Sequence, residues 1–223
     1  QQLESLQDNV PPIDKNVVRL MVRPHLNSNV FTFFDYEPFK SASIGQVHRA
    51  SLSTGEEVIV KIKRPNIYNI MKNDTDNIRQ IVEFLEQVGI DTGTNTGYVL
   101  DESIEYLLAE SDYNKEIINA IKFRKALKKV KWIKVPKVYD ELCTENMVVM
   151  EYVHSEKLME ITDPMVNKKK VCEALLNSYV IQTMDKGFFH ADPHPGNLGF
   201  SGDGKLVFYD FGLVIDICDE MKE

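Results

Sequence analysis

The chain has 223 residues, a net charge of −8 and a pI near 5.2, which argues against a general polyanion-binding surface and against nucleic acid as a partner. With 43% hydrophobic and 27% charged residues it can bury a sizeable core, as one large domain or two lobes, and no apolar run reaches the length of a membrane span. Cys143, Cys172 and Cys218 are far apart and include no Cys-x-x-Cys pair, so they read as reduced thiols of an intracellular compartment rather than a disulfide framework or a zinc site.

The chain opens on Gln1-Gln2 with no signal-like segment, so a native translation start is not expected there. Residues 1–12 are polar and end in Pro-Pro, which reads as a helix end running into an extended connection. Asp14 can cap a helix carrying Val17, Val18, Leu20 and Met21, with Pro24 closing it. From Phe39 to Lys63 the pattern becomes short β-like runs joined at Ser53-Thr-Gly55-Glu. The preceding Ser41-Ala42-Ser43-Ile-Gly45 is a small-residue loop; it can lie over phosphates through backbone N–H groups, or it can be a tight hairpin.

A lysine at an inward strand position among β-branched residues needs a partner or a ligand. Lys61 and Lys63 share side-chain parity, and the position after Val-x-Val favours Lys61. The apolar residues of 69–88 predict a packing helix ending at Gly89, followed by a polar loop over 91–97. A second helix is predicted over 98–129, containing Glu110, Asp112 and Glu116. Asp112 and Glu116 are i,i+4 neighbours, and Glu116 is the natural partner of Lys61, with a solvated acidic face as the alternative.

Residues 135–139 and 147–153 read as two more strands completing a small antiparallel sheet, whose exit around Glu151 and Val153 can offer backbone groups to an adenine ring or be an ordinary strand exit. The helix predicted over 168–186 buries Val171, Ala174, Leu175, Tyr179, Ile181 and Met184 and ends at Gly187. It leads into Phe188-Phe-His-Ala-Asp192-Pro-His-Pro-Gly-Asn197, a short hairpin, and Asp210-Phe-Gly212. Phosphoryl transfer needs positioning and charge neutralisation, which an Asp that orients an acceptor and two hard oxygen donors for Mg²⁺ supply. That assigns Asp192, Asn197 and Asp210. A metal-hydrolase reading of His190, Asp192 and His194 lacks a further His or Cys cluster to complete it, so the histidines are expected to be structural.

Ser43-Ile-Gly-Gln-Val-His48, Lys61, Glu110-x-Asp112, Glu116, His190-Ala-Asp-Pro-His-Pro-Gly-Asn197 and Asp210-Phe-Gly212 follow in order, and with them the sequence resembles the UbiB/ADCK family of atypical protein-kinase-like proteins over almost its whole length. The resemblance implies an α+β, two-lobed kinase-like fold: an N-terminal extension over 1–37, a small antiparallel N-lobe with helices over 38–153, and a partial helical C-lobe over 154–223, incomplete at both ends. It implies ATP and Mg²⁺ as cofactors, kinase or ATPase activity, links to coenzyme Q or other prenyl-lipid metabolism with its proteins and membrane surface, and a mitochondrial, plastid or bacterial setting.

In that frame Lys61 is the phosphate-binding lysine, Glu116 its partner and Asp192 the catalytic-loop aspartate. Asn197 and Asp210 are the metal ligands, Glu110 and Asp112 the Glu-x-Asp motif, Ala42, Ser43, Gly45 and Gln46 the nucleotide loop, and Glu151 and Val153 the hinge. The family's Ala-Ala-Ala-Ser loop is here Lys40-Ser41-Ala42-Ser43, its Lys-x-Gly-Gln helix is expected just before Gln1, and the chain stops soon after Asp-Phe-Gly, so a fragment is expected. Two other readings fit the catalytic residues. One is a small-molecule phosphotransferase of the aminoglycoside or choline kinase type, which the Ser-Ile-Gly-Gln-Val loop and the Glu-x-Asp motif disfavour. The other is a non-catalytic scaffold, which intact Lys61, Asp192 and Asp210 disfavour.

Overall fold

The computed structural model describes residues 10–90, 96–163 and 166–217; the segment before residue 10, most of the loop expected at 91–97 and Cys218 lie outside the described residues. In chain order the elements are α1 (Lys15–Asn27), β1 (Phe31–Phe34), β2 (Lys40–Ser41), β3 (Gly45–Leu52), β4 (Glu57–Lys63), α2 (Ile67–Gln87), α3 (Thr96–Ala109), α4 (Tyr113–Leu127) and β5 (Ile133–Lys134). They continue with β6 (Met147–Glu151), β7 (Ser155–Lys157), α5 (Lys168–Val180), β8 (Phe188–His190), β9 (Leu198–Ser201), β10 (Leu206–Phe208) and β11 (Val214–Asp216).

The upper sheet runs β1-β3-β4-β6, with β2 paired to the start of β3. Strand alternation divides its side chains between two cores. Val58, Val60 and Ile62 of β4 and Met147 and Val149 of β6 join Val18 and Val22 of α1 on one side. Ile59, Val148 and Met150 point the other way and join Phe123 and Leu127 of α4 with Phe188, Leu206, Phe208 and Phe211 from the lower part. Lys61 shares the parity of Ile59, so the sheet itself delivers an ammonium to the edge of the larger core. The lower part holds a second sheet, β5-β10-β9-β7, and the pair β8–β11. Phe123 is fully buried and stacks edgewise on Phe188 at 4.9 Å and tilted against Phe211 at 5.3 Å.

Several sequence expectations are corrected. Pro24 does not close α1, which runs on to Asn27; the Pro24 carbonyl accepts the cap N–H of Ser28, so the last turn forms regardless. The strand expected at 135–139 reduces to one bridge between Val138 and Met150, because Pro136 has no N–H to extend a ladder; the pairing lies instead at β5, parallel to β10. Helix α2 buries only Met71 and Thr75 and packs against α3, where Arg79 bonds Asp101 at 2.6 Å. Ile81 and Phe84 are about 60% exposed, so the packing its spacing suggests covers only part of its apolar face. The helix over 168–186 turns into a π-helical stretch at Ile181–Lys186, whose wider turn rotates Gln182 inward and leaves Met184 84% exposed; Gly187, at φ 70°, ends it.

Phe123 is the test of the larger core. Phe123→Ala is expected to cost about 3–5 kcal/mol of unfolding free energy by chemical denaturation, with a lowered midpoint and an unchanged slope.

Candidate functional site

A cleft of about 390 Å³ opens between the upper sheet and the lower hairpins. Every residue singled out from the sequence as catalytic, nucleotide-binding or metal-binding lines it: Ala42, Ser43, Gly45, Gln46, Lys61, Glu116, Glu151, Val153, Asp192, Asn197 and Asp210, together with Glu110 but not Asp112.

The centre is Lys61. Its Nζ bonds the carboxylate of Glu116 and that of Asp210, the latter at 3.2 Å. Helix α4 brings Glu116 there because Tyr113, Glu116, Ala120, Phe123 and Leu127 form its buried stripe. Burial opposes the Lys61 ammonium, but Asp210 and Glu116 more than offset this and hold its pKa above the ordinary lysine value. Asp210 is also opposed by burial, yet Lys61 and the backbone N–H of Gly212 keep its carboxyl below the usual range. Burial pushes the Glu116 carboxyl up to about 7 against the pull of Lys61, so of the two carboxyl groups facing one ammonium it is the more readily protonated.

The parity tie between the two strand lysines is thereby settled by position. Lys63 lies 4.8 Å over the ring of Tyr113 and has neither carboxylate partner of Lys61.

The opposite wall is the loop after β8. Asn197 Nδ2 donates to Asp192 Oδ2 at 2.5 Å, tying the two side chains together. His190 holds this loop to the Asp-Phe-Gly turn: Nδ1 accepts from the Asp192 backbone N–H at 3.2 Å, so Nε2 carries the proton and donates to the Asp210 carbonyl. Burial lowers the pKa of His190, in keeping with a neutral ring. His194 Nδ1 accepts from Gly196 N–H at 3.1 Å. Both histidines thus serve the backbone.

The helix predicted over 98–129 is broken at Glu110-Ser-Asp into α3 and α4. The cause is Asp112, whose side chain accepts from the N–H groups of Asn114 at 3.0 Å and Lys115 at 3.3 Å and so caps α4. Its carboxylate therefore does not join Glu116 on one face. Glu110, just ahead, lines the cleft; burial, then Asp210 and Asp192, push its carboxyl up.

Gln46 borders the cleft, but its side chain is buried beneath it, accepting from Ile13 N–H at 2.8 Å and bonding His48 at 2.7 Å. The Glu151 carboxylate also faces away, toward Lys134 at 2.5 Å and the Lys137 N–H at 3.0 Å. Its backbone N–H is given to Lys137 and that of Tyr152 to Glu57, so Val153 is where sheet pairing has ended. The sequence reading missed Tyr113 and Asn119. A Cβ on Gly45 would lie 2.5 Å from the Tyr113 hydroxyl and 2.5 Å from the Ile62 carbonyl, so only glycine lets the loop sit on α4. Asn119 Nδ2 holds the Phe211 carbonyl at 2.8 Å. Helical spacing from Glu116 was a signal for both.

Asp210 and Asn197 offer the hard oxygens that Mg²⁺ prefers. Among the described residues no group of three His, Cys, Asp or Glu side chains gathers to hold an ion by itself. This donor set fits an ion that takes its remaining oxygens from phosphates and water.

An ammonium locked between a helix carboxylate and an Asp-Phe-Gly carboxylate, facing an Asp–Asn pair across a cleft, is the arrangement of kinase-like folds. The ABC1 atypical kinase-like domain matches residues 5–223, and the chain belongs to that family, the UbiB/ADCK family its motifs resemble. It is 39% identical over 233 residues to protein ACTIVITY OF BC1 COMPLEX KINASE 8, chloroplastic, of Arabidopsis thaliana, covering 100% of this chain and 30% of that protein. Among solved structures it is similar to Rv3197 of Mycobacterium tuberculosis, determined with erythromycin, at a TM-score of 0.76 and 29% identity over 93% of this chain and 53% of that one. The Rio2 kinase of Chaetomium thermophilum, determined with ADP, Mg²⁺ and phosphoaspartate, shares the fold at a TM-score of 0.55 and 14% identity, over 93% of this chain and 56% of that one. The chain thus spans only part of the relatives it matches.

Two outcomes test this geometry. Asp112→Ala is expected to lose about 1 kcal/mol of stability and Asp112→Asn little, by denaturation, because the amide oxygen still caps. For His190 the unfolded ring titrates near its ordinary value of 6.5 and the folded ring lower, so acidification below that value favours the unfolded chain. Wild type should therefore lose stability on acidification that His190→Asn does not, and the gap in unfolding free energy between them should narrow.

Proposed function

We propose that this chain is the Mg²⁺- and ATP-binding part of an atypical kinase or ATPase. The observation that carries the reading is Lys61 held by both Glu116 and Asp210 at the edge of a cleft whose facing wall presents Asp192 bonded to Asn197. Lys61 binds the inner phosphates, with Glu116 fixing its orientation. Asp210 and Asn197 hold Mg²⁺, which when bound supplies charge neutralisation on the phosphates. The loop at Ala42, Ser43 and Gly45 covers the phosphates with short side chains, and backbone groups around Val153 receive the adenine edge.

Asp192, fixed by Asn197 and by its own N–H to His190, orients the acceptor hydroxyl or water and takes its proton. Glu110 lines the same cleft as Asp192 and Asp210, and we assign it to the acceptor side. The family's tie to coenzyme Q and other prenyl lipids makes their metabolism the proposed setting, with its enzymes and a membrane surface as partners. The chloroplastic relative and the mycobacterial structure support a plastid or bacterial compartment. No helix among the described residues is long and apolar enough to cross a membrane.

The full-length protein is expected to bind ATP in a Mg²⁺-dependent manner in calorimetric titrations, and Asp210→Asn to remove the Mg²⁺-dependent part. Asp192→Asn should keep ATP binding while lowering turnover at least about a hundredfold. Mg²⁺-dependent binding that survives intact in Asp210→Asn would falsify the metal assignment.

A further inference from the structure

Lys40 has no part in the reading above, yet among the described residues it is the cleft lysine without an ion pair. It begins β2, in register with Val47, on the roof over the site. Its Nζ comes within 3.8 Å of where a Cβ on Gly196 would lie, so the side chain spans from the roof to the facing loop, beside Asn197. Three lysines line the cleft. Lys61 is bound to Glu116 and Asp210, and Lys157 bonds Glu160 at 3.1 Å. Lys40 makes no ion pair with any described residue.

The roof that carries it is anchored. Arg64 donates to the Ala42 carbonyl and to Ser41 Oγ, each at 3.0 Å, and to the Pro11 carbonyl at 2.7 Å, and the Ala42 N–H bonds the Gly45 carbonyl at 2.8 Å. The cleft also holds the carboxyl groups of Glu110, Glu116, Asp192 and Asp210, an acid-rich lining that by itself repels a polyphosphate. A fixed strand therefore suspends an exposed ammonium over this acidic floor, at the wall where Asp192 and Asn197 stand.

We propose that Lys40 is a phosphate ligand of this cleft, a roof cation that binds the terminal phosphate of the nucleotide at the wall formed by Gly196 and Asn197. The inference rests on the nucleotide reading of the cleft. It assigns to Lys40 the discrimination between nucleoside triphosphate and nucleoside, whereas Lys61 serves the inner phosphates.

The test is titration of the full-length protein and its Lys40→Ala and Lys40→Arg variants with ATP, ADP and adenosine in the presence of Mg²⁺. Lys40→Ala is expected to weaken ATP about tenfold, ADP less, and adenosine less than about twofold; Lys40→Arg should retain most ATP affinity. The loss should shrink at about 1 M salt, since the cation is exposed. Wild-type affinity for ATP in Lys40→Ala, or an equal loss of ATP and adenosine, overturns the assignment while leaving the nucleotide reading in place. A wild-type protein that binds none of the three overturns both.

Discussion

The buried contact of Lys61 with Glu116 and Asp210 is the constraint on which the rest of this structure depends. An ammonium taken out of water costs several kcal/mol unless carboxylates meet it in good geometry. Here the carboxylates come from different parts of the chain, one from α4 and one from the Asp-Phe-Gly turn, so the fold must bring three segments to one point before the charge is tolerated. The apolar stripe of α4 and the fully buried ring of Phe211 do this by packing into one core with the sheet. Core packing and site assembly are therefore the same event.

A second set of contacts makes the facing wall a unit. His190 is fully enclosed, with its own N–H given to the side chain of Gln182 at 2.9 Å and its ring joining the backbone at Asp192 to that at Asp210. A neutral imidazole does this without adding charge to a cleft already crowded with carboxylates. The structural role expected of the histidines is thus met at His190 by an internal strut, and at His194 by an exposed ring that holds the Gly196 N–H.

Much of the site was legible in the sequence because its residues announce themselves through local rules. A lysine amid Val and Ile on a strand, an Asp-Phe-Gly turn and an Asp–Asn pair in a proline-rich loop each carry chemistry in their immediate neighbourhood. What escaped depends on contacts distant in sequence. The break between α3 and α4 rests on one carboxylate choosing backbone N–H groups over a helical neighbour, a choice that spacing alone does not reveal. The exposure of Ile81 and Phe84 was hidden because an amphipathic pattern says which face is apolar and not what meets it. Gly45 read as part of a small-residue loop over phosphates or a tight hairpin, and the reading did not reveal that a side chain there would meet the Tyr113 hydroxyl.

The parallel pairing of β5 with β10 reaches beyond the correction of one strand. Leu206 and Val207 lie opposite Ile133 and Lys134, and Lys134 bonds Glu151 at the exit of the upper sheet. The two halves of the molecule are thus joined by the covalent chain after Glu151 and by this short ladder, in addition to the shared core and the Lys61–Asp210 contact. Any rearrangement of the halves would have to give up these main-chain hydrogen bonds together with the Lys61–Asp210 contact, so the seam and the site share one set of constraints.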